Sequence, residues 1–178
     1  MTEAARKLTL PKYYAAKPVE YNSYVIGLEK VTDMADELYK LWEAHWAETE
    51  VLYLDEPMAP DLNAFVQYEK MGRFVVFTVR TLGDYEMVGN LMYFIGPNTH
   101  IKGTTLAKED AFFLRDDHRN GRLAIKFLEY AETVLTDLNV DYIGMSDKSP
   151  AGGKSLAKFM DRRGYRPIAV QYLKKVKS

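Results

Sequence analysis

The chain contains no cysteine. Within it, disulfides, thiolate nucleophiles, a covalent acyl-cysteine and cysteine-bound zinc are therefore excluded. Histidine is scarce: His45, His100 and His118 are never spaced i, i+4 or as a His-x-His pair, so spacing gives no metal site. Excess charge is missing too. The 24 basic residues face 25 acidic ones, and a net charge of −1 argues against a nucleic-acid partner. Long hydrophobic runs are absent: Phe74–Val79 is strand-sized, against the roughly 20 residues of a membrane helix. Residues 1–14 hold no apolar stretch of signal-peptide length. The expectation is a cytoplasmic, water-soluble protein with no membrane partner. No internal repeat or low-complexity segment is present.

What is there suits one globular domain. The length of 178 residues leaves no room for two well-cored domains, and an apolar share of 47% is that of ordinary soluble proteins. Residues 1–20, with Pro11 and Pro18 and little periodicity, read as a partly ordered arm. Residues 21–178 read as the single domain.

A first strand is expected over 21–31. Thr32 or Asp33 then offers an N-cap to a helix carrying Met34, Leu38, Leu41, Trp42, His45 and Trp46 on one stripe. An acidic, proline-bearing loop follows over 49–60, and Asp61 caps a short helix ended by Gly72. Three strands come next, over 73–82, 86–95 and 105–114, with turn signals at Gly83-Asp84 and Gly96-Pro97-Asn98. A strong amphipathic helix is expected over 119–138 and a strand over 140–146. A helix over 153–163 follows, capped by Ser149 and Pro150 and closed by Gly164. A last strand or hairpin is expected over 165–176. The fold class is α/β: a mixed, mostly antiparallel twisted sheet flanked by helices on both faces.

Chemistry concentrates between Phe112 and Ala124. A strand ends, a polar loop follows, and a long helix begins. A helix start presents unpaired N–H groups and the positive end of its dipole, which favours a phosphate. Gly121 lets backbone approach a ligand closely, and Arg119 and Arg122 add charged donors. The same residues also suit a plain solvated helix cap.

This segment and the element order resemble the GNAT (GCN5-related) N-acetyltransferase superfamily. The family's coenzyme A motif is arginine or glutamine, two residues, glycine, one residue, then glycine or alanine. The matching run here is Arg119-Asn120-Gly121-Arg122-Leu123-Ala124, in which Arg119 and Ala124 fit. The fourth place holds Arg122 instead of glycine, and Gly121 sits one place early. Arg163-Gly164-Tyr165 resembles the family's glycine-aromatic turn, and the stretch from Glu109 onward is similar to acyltransferases carried by tailed phages. The resemblance covers about residues 22–176. It implies a GNAT-like fold and an acetyl-CoA-dependent N-acetyltransferase. Arg119, Asn120, Gly121, Arg122 and Ala124 would hold the pyrophosphate of coenzyme A, and Leu114, on the family's fourth strand, its pantetheine arm. An amine acceptor, small molecule or protein, would attack the thioester directly in a ternary complex, which needs no cysteine.

The resemblance also places the chemistry. An ammonium acceptor has a reference pKa of about 10.4 and must first lose a proton. Glu109 and Asp110, at the start of the fourth strand, are the candidate bases. Strand alternation turns them to opposite faces, so at most one faces the cleft. The family's proton-donating tyrosine corresponds to Met160, which has no proton to give, and the family's frequent asparagine to about Gly153. Tyr165 and Tyr172 are nearby substitutes, with Tyr172 the candidate acid. Trp42, His45, Trp46, Glu48, Glu50, Asp55 and Glu56 would line the acceptor groove, although core packing of Trp42, His45 and Trp46 and loop solvation of the carboxylates is the simpler reading. The departures motivate an alternative, a catalytically weakened module that binds or inhibits a protein partner. A homodimer through an exposed strand edge is also expected. Two look-alikes fall away. Gly152-Gly153-Lys154-Ser155 lacks the earlier glycine of a P-loop, whose place holds Lys148. The run Lys174-Lys175-Val176-Lys177 is a short solvated basic tail.

Overall fold

The computed structural model describes residues 16–119, 121–148 and 155–176. Strands β1 (Val19–Tyr21) and β2 (Tyr24–Glu29) form a hairpin, with Asn22 at φ 52° in the turn. The single strand expected over 21–31 is thus two, and Val19 and Glu20 of the expected arm belong to the sheet. The rest of the arm, residues 1–15, lies outside the described residues.

Helix α1 (Val31–Glu48) starts earlier than Thr32 or Asp33 would set it. Lys30 is its N-cap and makes no side-chain cap bond. Instead the Val31 N–H donates to Glu69 Oε1 at 2.9 Å, from a carboxylate on the next helix. That partner is tertiary and no local pattern announces it. Met34 departs from helical geometry and kinks α1 near its start. Helix α2 (Leu62–Lys70) follows the expected chemistry: the Ala64 N–H donates to Asp61 Oδ1 at 3.0 Å, and Gly72, at φ 66°, closes it.

Strands β3 (Phe74–Thr81), β4 (Met87–Pro97), β5 (Thr105–Leu114) and β6 (Tyr142–Gly144) complete a six-stranded sheet in chain order. All pairings are antiparallel except β5 with β6. The parallel pair is joined by helix α3 (Leu123–Asp137). The turn expected at Gly96-Pro97 is strand as far as Pro97. Helix α4 (Ala157–Arg162) ends at Gly164, φ 83°, whose N–H reaches the Asp161 carbonyl. The Ser149 and Pro150 cap, like Gly153, lies outside the described residues.

Helices cover both faces. Leu38, Leu41 and Trp42 of α1 pack on Phe74, Val76, Met92 and Phe113. Phe127, Leu128, Ala131 and Leu135 of α3 pack on Val75, Phe77, Leu91 and Ala107 of the opposite face. This burial drives assembly at roughly 25 cal/mol per Å² of apolar surface. Gly89 shows how tightly β4 and β5 fit. A Cβ there would run into the Leu114 side chain and lie 3.0 Å from the Phe113 carbonyl oxygen. Gly89→Ala should cost about 1–3 kcal/mol, the usual range for overpacking. An unchanged urea midpoint would refute it.

Two expectations need correction. The helix expected from Arg119 begins at Leu123, because Gly121 sits at φ 70° and breaks any right-handed run before it. Residues Asp116–His118 instead form a 3₁₀ turn. The final strand expected over 165–176 is absent. The sheet ends at β6, which is only three residues long, and Pro167 brings no N–H to a ladder. The segment's apolar side chains are left exposed, Ile168 and Tyr172 at 94% each.

Candidate active site

The geometry of the site follows from one extra residue. Met92 pairs with Ala111, but Tyr93 pairs with Glu109, so Asp110 is a bulge in β5. A bulge re-aims side chains and bends its strand. Ahead of it Ala107 faces α3, and behind it Ala111 and Phe113 face α1. The parallel pairing with β6 covers only Leu106, Ala107 and Lys108. Past that point β5 continues to Leu114, and among the described residues no strand pairs with its far edge. A wedge opens there, lined on one side by strand N–H and C=O groups.

The end of the wedge meets the start of α3. Arg122 is the N-cap and makes no side-chain cap bond, so the first-turn N–H groups are not covered by it. Arg122 is exposed, and Ala124 is half-buried in the first turn. At Gly121 the space where a Cβ would point is open. Asn120 lies outside the described residues. These features suit a pyrophosphate, as the sequence motif implies.

Arg119 is placed differently from its neighbours. Its guanidinium forms a bidentate pair with Glu48 at the end of α1, both bonds 2.6 Å, and lies over the Phe113 ring. Its Nε donates to the Leu114 carbonyl at 2.6 Å. Leu114 itself is 5% exposed, with its side chain in the α3-facing core. Arg119 therefore braces α1 against the end of β5, and Leu114 offers the wedge backbone rather than side chain.

Glu109 is buried at the opening of the wedge and accepts the Ser146 N–H through Oε2 at 2.9 Å. Burial pushes its carboxyl above the ordinary range, while the Ser146 bond and Lys148 pull the other way. Asp110 is exposed at the mouth. Crowding by surrounding protein and then the charge of Glu50 raise its carboxyl also. His45 is buried against Phe113, ring centres 5.3 Å apart, and desolvation holds its pKa below the ordinary value. Trp42 is core, packed on Phe65, and Trp46 is half-buried. Asp55 and Glu56 are exposed, and Glu56 pairs with Lys175 of the basic tail at 2.5 Å.

Met160 is buried. Tyr165 gives its hydroxyl to Glu132 at 2.9 Å on the α3 side, and Tyr172 stands in solvent. Sequence reasoning missed two groups. Lys148 donates to the Tyr53 hydroxyl at 2.7 Å and lies 3.4 Å from Glu50. Tyr53 and Lys148 are 95 residues apart, on irregular segments that carry no periodicity, so no local signal marks the pair.

No protein-family model matches the chain, and no curated protein matches its sequence. Solved structures do match its fold. An aminoglycoside acetyltransferase from an uncultured soil metagenomic sample, solved with sisomicin, is similar at a TM-score of 0.66 and 15% identity, over 88% of this chain and 98% of that one. Glucosamine-6-phosphate N-acetyltransferase from Arabidopsis thaliana is similar at 0.65 and 10% identity, over 88% and 100%. Ribosomal-protein-alanine N-acetyltransferase from Brucella melitensis is similar at 0.63 and 15% identity, over 86% and 99%. The chain has the mixed α/β fold of these acetyltransferases, with helices on both faces of a six-stranded sheet. Among the described residues no helix is long and apolar enough to cross a membrane, and no metal-binding cluster occurs.

Proposed function

We propose that this protein is an acetyl-CoA-dependent N-acetyltransferase acting on a primary amine. The observation that carries the proposal is the wedge between β5 and β6, whose unpaired strand edge runs into the start of α3. An extended pantetheine arm fits a strand edge by backbone hydrogen bonding, and a pyrophosphate fits a helix N-terminus beside Gly121 and Arg122. Acetyl-CoA would supply the activated thioester. Arg119 is engaged with Glu48, so the charged phosphate contact falls first to Arg122. Glu109 sits at the opening with a carboxyl pKa raised by burial, which makes its carboxylate the stronger base. Strand N–H groups past the bulge would stabilise an oxyanion. Glu50 and Asp110 at the mouth favour a cationic acceptor.

A thermal-shift titration with acetyl-CoA, coenzyme A and ATP tests this. A ligand at about 100 times its dissociation constant adds ~2.7 kcal/mol, which for a domain this size raises the midpoint by roughly 5–10 °C. Acetyl-CoA and coenzyme A should produce the shift and ATP should not. Arg122→Ala should weaken coenzyme A by about tenfold or more, the effect of losing a charged hydrogen bond. No shift with either coenzyme would overturn the proposal.

A further inference from the structure

Thioester aminolysis needs a proton for the departing sulfur, and the groups expected to give one lack a proton, are already bound or stand in solvent. Met160 has a thioether. The Tyr165 hydroxyl is bound to Glu132, and Tyr172 is 94% exposed in solvent. Tyr53 occupies a different position. It follows the 3₁₀ turn Glu50–Leu52 after α1, and reaches across to Lys148, two residues beyond the Ser146 that closes on Glu109. The Lys148 ammonium donates to the Tyr53 oxygen and lies 5.0 Å from the ring centre. An oxygen that accepts from an ammonium still carries its own O–H, and its phenolate is stabilised by that charge.

We propose that Tyr53 is the proton donor to the coenzyme A sulfur and Lys148 its positioning residue. The inference rests on the acetyltransferase reading above. The amine lone pair forms the new C–N bond, the C–S bond breaks, and sulfur keeps its electron pair. Tyr53 gives that sulfur its proton and becomes a phenolate held by Lys148. The amine proton passes to Glu109 and returns through water to Tyr53. One amine and one acetyl-CoA become one amide and one coenzyme A thiol.

Lys148 is the hub of the charges that surround this pair. Glu50 touches it from the turn after α1, His45 senses it from α1, and Glu109 and Asp110 sense it from β5. Its positive charge and the Tyr53 O–H favour a thiolate at the wedge, while Glu50 and Asp110 oppose one.

The missing cysteine makes this directly measurable. In a complex with coenzyme A the cofactor carries the sole thiol, because the protein has none. The ultraviolet absorbance of its thiolate is titrated with pH for wild type, Tyr53→Phe, Lys148→Met and Tyr165→Phe. Each protein alone is subtracted, and calorimetry checks binding. Tyr53→Phe keeps the ring, so the fold is held. Tyr53→Phe and Lys148→Met should still bind coenzyme A, with the bound thiol titrating about one pH unit higher than in wild type, a tenfold change. Tyr165→Phe should leave the titration where it is. Equal titrations in wild type and Tyr53→Phe, or a shift of the same size in Tyr165→Phe, would overturn the inference alone. Failure of the wild type to bind coenzyme A would overturn the acetyltransferase reading, and the inference with it.

Discussion

Glu109→Gln should lower the rate of acetyl transfer by about 10²–10⁴-fold, the usual effect of a general base, while making the protein more stable at alkaline pH. Both effects have one origin. Burial holds the Glu109 carboxyl above its ordinary value, so the folded state binds its proton more tightly than the unfolded chain does. Stability from this group is fully present below the unfolded pKa of about 4.3. It is lost as pH rises through that value toward the raised folded one. Glutamine has no proton to lose there, and it keeps an oxygen to accept the Ser146 N–H. The melting temperature of the variant should therefore run parallel to wild type near pH 4, exceed it as pH rises above that, and hold a constant lead once the folded carboxyl is ionised. A carboxylate kept in the wedge at a cost to stability is what a functional site shows. A variant with unchanged turnover and an unchanged acid limb would move the role of base to Asp110. A variant with an unchanged stability profile would contradict a Glu109 carboxyl pKa raised by burial.

The sheet was legible because its strands follow strong local rules. Thr105 and Leu114 bound β5 as alternation and turn residues place them, and Asp61 caps α2 as its residue type demands. Long-range partners were not legible. Glu69 sets the start of α1 from another helix, and nothing near Val31 announces that. Gly121 was visible as a phosphate-friendly residue, but its positive φ also moves the start of α3 to Leu123. The bulge at Asp110 has no sequence signature, yet it switches the odd-numbered positions of β5 from the α3-facing side at Ala107 to the α1-facing side at Ala111 and Phe113. The motif makes Arg119 a phosphate ligand, and only the fold reveals Glu48 opposite it. Residues that act through neighbours close in sequence could be read, and those that act across the sheet could not.

Arg80→Met should destabilise the protein by about 3 kcal/mol, the low end for breaking a buried ion pair by removing one partner. Arg80 is 4% exposed near the end of β3. Burial disfavours its charge, but Glu29 and Glu37 outweigh that and hold it protonated. Nε donates to Glu29 at 2.7 Å and Nη1 to Glu37 at 2.6 Å, so one guanidinium ties β2, β3 and α1 together. Nη1 also reaches the Tyr85 carbonyl at 2.9 Å, beneath the Tyr85 ring, and Thr78 donates to Glu29. Methionine fills much of the space but leaves two carboxylates facing each other. Glu37, with its side chain 45% exposed, can turn into water, whereas Glu29, at 24%, stays largely enclosed. The loss should thus come mainly from Glu29. Arg80→Met with Glu29→Gln should recover part of it, because the remaining amide carries no charge. For a domain of this size ~3 kcal/mol lowers the melting midpoint by roughly 6–12 °C. The comparison is made by urea denaturation of both variants. A double variant no more stable than Arg80→Met alone would show that the cost lies in lost packing and not in the stranded carboxylate. A single variant as stable as wild type would show that the network contributes nothing to holding α1 on the sheet.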